Sequence, residues 1–329
     1  MSDDIADDPE YFARLVLVEH GLAAANLTLL NISENATYAV DDPTTGERTV
    51  LRLHRPSYHT TDAIRSELAW VESLRAAGVV ATCRPIPTPD GRFVVTSSHL
   101  DGRQRHAVRF SWLPGEEPRQ GRLVKDFATL GAMTAELHVH ARCWQPPPGF
   151  RRLTWDYEQS LGLNGHWGRW QDGLGMGAAE LRELTHLDRG LRERLAAWGT
   201  SPDRFGLIHA DMRLANLLVD GDHISVIDFD DCGHSWFLYD LGSSLSFMEH
   251  DAAVPELVDS WVLGYRDVAA LSAADIDMLP TFIMMRRLLL VAWIGSHPGT
   301  DLATTMGVEF TGTTVELACA YHAGRFARI

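Results

Sequence analysis

The amino-acid sequence predicts an α+β chain of two lobes, β-rich at the start and helical afterwards. Three observations carry this expectation. At 329 residues the chain is too long for one simple core. Its first hundred or so residues alternate short apolar runs with turn-forming clusters. After Pro118 the texture changes to long helical patterns. The boundaries expected are 1–109 for the first lobe, 110–116 for a hinge and 117–329 for the second lobe.

In the first lobe, Asn26 to Leu30 leads into "NISENATYAV", where Thr37 to Val40 reads as a strand, and "DDPTTGE" turns the chain. "RTVLRLHRP" is the next strand, with apolar Val50, Leu51 and Leu53 and a stop at Pro56. "TTDAIRSELAWVESLRAAG" is an amphipathic helix. Ile64, Leu68, Val71 and Leu74 recur at three- and four-residue steps, and Gly78 stands where a helix C-cap belongs. "GRFVVTSS" and "HAVRFSWLPGEEP" add two strands, the second ended by Pro114-Gly115. One main helix is expected in this lobe.

In the second lobe, "LVKDFATLGAMTAELHVHA" lines Val124, Phe127, Leu130, Thr134 and Leu137 along one face. Three prolines, Pro146 to Pro148, make a loop, and Ala178 to Gly199 is helical again. "SAAD" is a capping pattern ahead of the helix that carries Pro280. The apolar run from Phe282 to Ile294 is interrupted by Arg286 and Arg287 and is too short to span a bilayer, so it reads as a buried helix.

The formal charge of −15 argues against non-specific nucleic-acid binding, which needs a basic surface. An acidic balance suits a cationic substrate, although a solubilising surface accounts for it as well. The opening "MSDDIADDPE" is acidic where a secretory signal would be basic. The cysteines, Cys83, Cys143, Cys232 and Cys319, are far apart without metal-knuckle spacing. A cytoplasmic protein with reduced thiols and no membrane partner is expected; oligomeric state is not legible.

The chemistry concentrates in "LIHADMRLANLLVDGDHISVIDFDD", Leu207 to Asp231. Asp211, Asn216, Asp228, Asp230 and Asp231 interrupt an apolar background there. "DGD" between Leu217–Val219 and Ile224–Ile227 is a tight-turn signal for a hairpin. With Gly221-Asp222 as the turn, Asn216 lies opposite Ile227 and Asp228 is the next residue along. A register shifted by two residues leaves both side chains at the same open end. An amide oxygen and a carboxylate there, with Asp230 as a further oxygen, make a hard site that suits Mg²⁺. Asp211, five residues before Asn216, stands beside this site, where a carboxylate can accept a hydroxyl proton during attack on a phosphoryl group.

"HADMRLAN", "VIDFDDCG" and "YDLG" resemble the aminoglycoside phosphotransferase and homoserine-kinase-like family, which has a protein-kinase-like fold. "NISENATYAV", "VLRLHRP", "SELAWVESL", "LPGE" and "LGAMTAELHVHA" extend the likeness over nearly the whole chain. It is most similar to the subgroup holding stress-response kinases and kinases of small hydroxylated metabolites. The resemblance implies an ATP- and Mg²⁺-dependent transfer to a small-molecule hydroxyl, with an aminoglycoside-like antibiotic, an amino alcohol or a sugar as acceptor. It implies that Asp211 is the base, that Asn216 and Asp228 hold Mg²⁺, that His209 supports the loop and that Asp240 braces it.

Arg52 departs from the family, which often has a phosphate-contacting lysine there; Glu67 is its natural ion-pair partner. Ser33, Asn35 and Thr37 replace a glycine-rich loop and approach the phosphates through backbone N–H groups and hydroxyls. Phe110, Ser111, Trp112 and Leu113 are expected to frame adenine. Arg213 is placed to neutralise charge on the transferred phosphoryl group, or is a surface arginine. Trp155, Trp167 and Trp170 with Asp156 line an acceptor pocket or simply fill the core. His138 and His140, two apart on a helix, point to different sides and read as structural. Two alternatives stand beside the leading one: a stress-response-type serine/threonine protein kinase, and an inactive nucleotide-binding scaffold. Only "FDDCGHSWFLY" separates Asp228 from Asp240, which leaves little platform for a peptide.

Overall fold

The computed structural model describes residues 8–32 and 35–327. They gather into two compact units. The first runs to Pro114 and takes in Pro146–Arg152, and the second comprises Gly115–Gln145 and everything from Leu153 on.

The first unit holds α1 (Pro9–Glu19), β1 (Asn26–Ile32), β2 (Ala36–Asp41), β3 (Arg48–Leu53), α2 (Thr61–Ala76), β4 (Pro85–Ile86), β5 (Val94–Ser98) and β6 (Gln104–Ser111). The strands form one antiparallel sheet in the order β1-β2-β3-β6-β4, with β5 also paired to β6. Thr37 pairs with Arg52 and Arg52 with Val108, so Arg52 lies in the middle of the sheet. α2 starts where Thr60 accepts from the Ala63 N–H at 3.2 Å, and Gly78 follows its end at φ +64°.

α2 is the one main helix expected in this lobe, and α1 is a second. The signals for α1 were present: Asp8 accepts from the Glu10 N–H at 3.0 Å, and Pro9 occupies the first turn. Phe12, Ala13, Val16 and Leu17 then recur at helical spacing and are buried against Tyr38, Val40, Leu51, Leu53 and Val95. α2 fills a separate cluster, Ile64 and Leu68 with Val94, Val108 and Phe110.

The second unit holds α3 (Leu123–Cys143), β7 (Leu153–Thr154), α4 (Tyr157–Leu161), α5 (Ala178–Trp198), β8 (Phe205–Ile208), β9 (Leu217–Asp220), β10 (His223–Val226) and β11 (Gly233–Trp236). It continues with α6 (Tyr239–Ser244), α7 (Val254–Val268), α8 (Ala273–Ser296), α9 (Asp301–Met306) and α10 (Glu309–His322). β11 lies between β7 and β8, parallel to the first and antiparallel to the second. α3 and α7 approach so closely that a Cβ on Gly131 would meet the Trp261 carbonyl oxygen at 2.0 Å, and one on Gly264 the Ala128 oxygen at 1.7 Å. Only glycine fits either position.

α8 begins with a reciprocal cap. Ser272 Oγ accepts from the Asp275 N–H at 3.1 Å, and Asp275 accepts from the Ser272 N–H at 2.7 Å. Among the described helices it alone is long and apolar enough to cross a membrane, but it is buried within the unit. Its burial explains the apolar run from Phe282 to Ile294, and its two arginines are buried with it.

Candidate active site

The β9–β10 hairpin has the register that a Gly221-Asp222 turn dictates, from Asp220 opposite His223 to Leu217 opposite Val226. One step further the Ile227 N–H donates to the Asn216 carbonyl at 2.9 Å, so Asn216 and Asp228 share the open end of the hairpin. Asp228 adopts φ +59°, a left-handed conformation that costs a non-glycine residue about 1–2 kcal/mol. Such strain persists where surrounding structure enforces it, commonly at functional sites. Asp230 is buried in the turn beyond Phe229.

Asp211 sits in the loop between β8 and β9. The Asn216 amide nitrogen donates to Asp211 twice, to the backbone carbonyl at 2.9 Å and to Oδ2 at 2.7 Å. That commits the nitrogen and leaves the amide oxygen as the ligand end of Asn216. An amide oxygen beside a carboxylate is the kind of hard donor set that Mg²⁺ takes, with water and phosphate completing its shell. The residues present fit that ion.

The loop is held from one side by Asp240, which accepts from the His209 N–H at 3.1 Å and the Ala210 N–H at 2.7 Å. Ser243 Oγ accepts from the Met212 N–H at 2.9 Å. His209 Nε2 lies 3.1 Å from the Ile227 carbonyl and its Nδ1 3.3 Å from the Asp211 N–H. His209 therefore donates through Nε2 and accepts through Nδ1, linking the loop to the hairpin. His138 is structural, as its spacing suggested, but its role is specific. Its Nε2 lies 3.1 Å from Asp240 Oδ2 and its Nδ1 3.0 Å from the Tyr265 hydroxyl. Burial lowers the His138 pKa against the raising effect of Asp240, and burial pushes the Tyr265 phenol up to about 12. A neutral imidazole then donates to Asp240 and accepts from Tyr265, tying α3 and α7 to the brace.

Both Asp211 oxygens face arginine. Arg213 Nε lies 3.3 Å from Oδ2, and Arg286 Nη2 lies 2.5 Å from Oδ1. Burial pushes the Asp211 carboxyl up, but the charges of Arg286 and Arg213 outweigh it and hold the group below its ordinary value. Arg286 was not singled out from sequence; it registered only as an interruption of an apolar run. An arginine inside a buried helix was the available signal, because a buried charge needs a partner.

The tryptophans are core. Trp155, Trp167 and Trp170 are all buried, and Trp155 Nε1 donates to the Asp231 carbonyl at 2.8 Å. Asp156 is a helix cap, accepting from the Gln159 N–H at 2.8 Å at the start of α4.

In the first unit, Arg52 Nη2 donates to both oxygens of Glu67, at 2.6 and 2.7 Å, and the guanidinium lies 5.1 Å from the Phe110 ring centre. Asn35 is buried and accepts from the Arg55 N–H at 3.0 Å, while Thr37 pairs with Arg52 across the sheet. Ser33 lies outside the described residues. Phe110 and Ser111 are the last residues of β6. Ser111 Oγ accepts from the Arg84 N–H at 2.9 Å, and the half-exposed Trp112 lies under Arg48, followed by Leu113.

An antiparallel-sheet unit, a helical unit and a loop of this pattern define a chain of protein-kinase-like fold. The model of the phosphotransferase enzyme family matches residues 28–274, and the chain belongs to that family. A solved structure titled as a microcompartment-associated aminopropanol kinase is 44% identical, with a TM-score of 0.90, over 98% of this chain and 99% of its own. The amicoumacin kinase of Bacillus subtilis (strain 168) is 24% identical over 271 residues, 79% of this chain and 76% of its own. A solved amicoumacin kinase in complex with AMP-PNP, Ca²⁺ and Ami shares the fold at 20% identity, with a TM-score of 0.77 over 99% of this chain and 97% of its own. The chain is accordingly a phosphotransferase.

Proposed function

We propose that the protein transfers the γ-phosphoryl group of ATP to the hydroxyl of a small amino alcohol, with Mg²⁺ as the metal. The observation that carries this reading is the Asp211–Asn216 contact at the open end of the hairpin. It joins a carboxylate able to take a proton to an amide oriented as a metal ligand. The acceptor class rests on the 44% identical relative, named for aminopropanol, and on the charge of −15, which suits a cationic acceptor.

In this reading the acceptor oxygen forms a bond to the γ-phosphorus as the bond from that phosphorus to the β,γ-bridging oxygen breaks. The hydroxyl proton passes to Asp211, and ADP leaves. Because the transition state is loose, the base acts late and mainly by position. A low proton affinity at Asp211 is therefore no handicap. Arg213 offsets charge on the transferred group. Asn216 and Asp228 hold the metal with Asp230 as a further oxygen, and Mg²⁺ when bound neutralises phosphate charge. In the first unit, Arg52, fixed by Glu67, contacts phosphate with the backbone and hydroxyls around Ser33, Asn35 and Thr37. Phe110 to Leu113 face adenine. We place the enzyme in the cytoplasm, where ATP is available.

The test is a coupled phosphate-transfer screen of the purified protein with ATP and Mg²⁺. Its panel holds amino alcohols, sugars, aminoglycosides and a generic protein substrate. Acceptor-dependent ADP release with amino alcohols, and a phosphate ester found by mass spectrometry, is the expected result. Transfer to the protein substrate alone would contradict it.

A further inference from the structure

α8 places two adjacent arginines in the interior, and they point to different partners because successive helical residues diverge by about 100°. Arg287 is a tie within the core. It donates to Glu249 at 2.7 Å, to Thr314 at 2.7 Å, to Thr313 at 2.7 Å and to the Phe310 carbonyl at 3.0 Å, joining α8 to α10. Arg286 turns instead to the Asp211 loop. Its Nη2 donates to Asp211 Oδ1 at 2.5 Å and its Nη1 to the Ala210 carbonyl at 3.3 Å.

Arg286 is itself fixed. Its Nε donates to Ser246 Oγ at 2.9 Å, its Nη1 also reaches the Tyr239 hydroxyl at 3.3 Å, and its guanidinium stands 5.0 Å from the Trp167 ring centre. Ser246 Oγ in turn donates to the Ser243 carbonyl at 2.6 Å. The side chain of Arg286 is 3% exposed, against 24% for Arg213, the other cation on Asp211. Of the two, only Arg286 is anchored tightly enough to set a carboxylate plane.

The loop gives the fork something specific to hold. Ala210 has φ +67°, a conformation that an L-residue adopts at a cost of about 1–2 kcal/mol. Asp240 takes the N–H groups of His209 and Ala210. Arg286 takes the Ala210 carbonyl and the next side chain. The strained residue is thus pinned at its N–H by α6 and at its carbonyl by α8, and the Asp211 carboxylate projects from the pinned turn.

We infer that Arg286 is a positioning residue for phosphoryl transfer: it sets the orientation of the Asp211 carboxylate toward the acceptor hydroxyl. This rests on the proposed role of Asp211 and goes beyond it, because it assigns a function to a core helix. A lysine cannot replace it, since one ammonium cannot reproduce the four donor contacts of the planar fork.

The experiment is a double-mutant cycle on the full-length protein with ATP, Mg²⁺ and the acceptor found by the screen. It comprises Arg286→Met, Asp211→Asn, the double variant and, separately, Arg286→Lys. Misplacing a reacting group by an ångström costs on the order of 100-fold. Arg286→Met is therefore expected to lower kcat by about that factor with KM for ATP little changed. In the Asp211→Asn background the same change should cost almost nothing further, because it acts through the carboxylate that is gone. Arg286→Lys should fall between wild type and Arg286→Met. If Arg286→Met does not fold, Arg286→Lys decides: wild-type kcat overturns the inference, and a reduced kcat at unchanged KM supports it. Equal losses from Arg286→Met in both backgrounds would show a purely structural role. If Asp211→Asn itself retained normal turnover, the functional reading would fail rather than this inference alone.

Discussion

Arg52 Nη2 donates to both carboxylate oxygens of Glu67, at 2.6 and 2.7 Å, and the two side chains are 7% and 1% exposed. Removing one member of so buried a pair takes away the other's bonded counter-charge, and breaking such a pair typically costs about 3–5 kcal/mol. Arg52→Ala should therefore lower the urea midpoint substantially, besides weakening nucleotide binding. Arg52→Lys keeps the charge and should be the milder change in both respects. A wild-type urea curve for Arg52→Ala would show that the pair does not form in solution.

His20, which caps α1, supplies a pH dependence of stability. Burial, followed by the charges of Arg109 and Arg92, lowers its pKa from 6.5 to about 4, against smaller opposing effects of Asp90 and Glu19. The folded state resists a proton that the unfolded chain accepts. The stability His20 contributes is thus fully present above pH 6.5 and is lost as pH falls toward 4. In melts between these limits, wild type should lose stability faster than His20→Leu, and parallel profiles would count against the assignment.

The α3–α7 contact makes a sterically clear prediction. Gly264→Ala would drive a Cβ to 1.7 Å from the Ala128 carbonyl oxygen, so the helices must part. Overpacking of this kind costs about 1–3 kcal/mol, sometimes more. The separation would also strain the His138–Tyr265 link to Asp240. Thermal unfolding should show the loss; an unchanged Tm would mean that the two helices do not pack this closely.

Much of this was legible in the chain. The Gly221-Asp222 turn specified the hairpin register, which sets Asn216 and Asp228 at the same open end, and Asn216 is hydrogen-bonded to Asp211 there. The Arg52–Glu67 pair followed from a strand arginine and the next helix. Arg286 did not, because its partner lies 75 residues away and only the folded helix brings them together. Helix α1 was overlooked although Asp8, Pro9 and the spacing of its apolar residues announced it. Asp156 drew attention beside three tryptophans, yet its carboxylate caps a five-residue helix, a local use that composition could not separate from a pocket.

The metal assignment is tested through binding. ATP should raise Tm strongly only when Mg²⁺ is present, because ligand binding stabilises the folded state by mass action. Asp228→Asn should weaken that stabilisation by stripping charge from the metal site. Equal stabilisation by ATP with and without excess chelator would contradict the assignment.

The central claim is that Asp211 takes the acceptor proton. Asp211→Asn keeps the shape of the side chain and removes its charge and most of its basicity. General-base catalysis is worth about 10²–10⁴-fold. The measurement is kcat for Asp211→Asn with the identified acceptor, alongside ATP affinity in the presence of Mg²⁺. A fall in kcat of that order with ATP affinity retained is the predicted result, and near-wild-type turnover would contradict the mechanism.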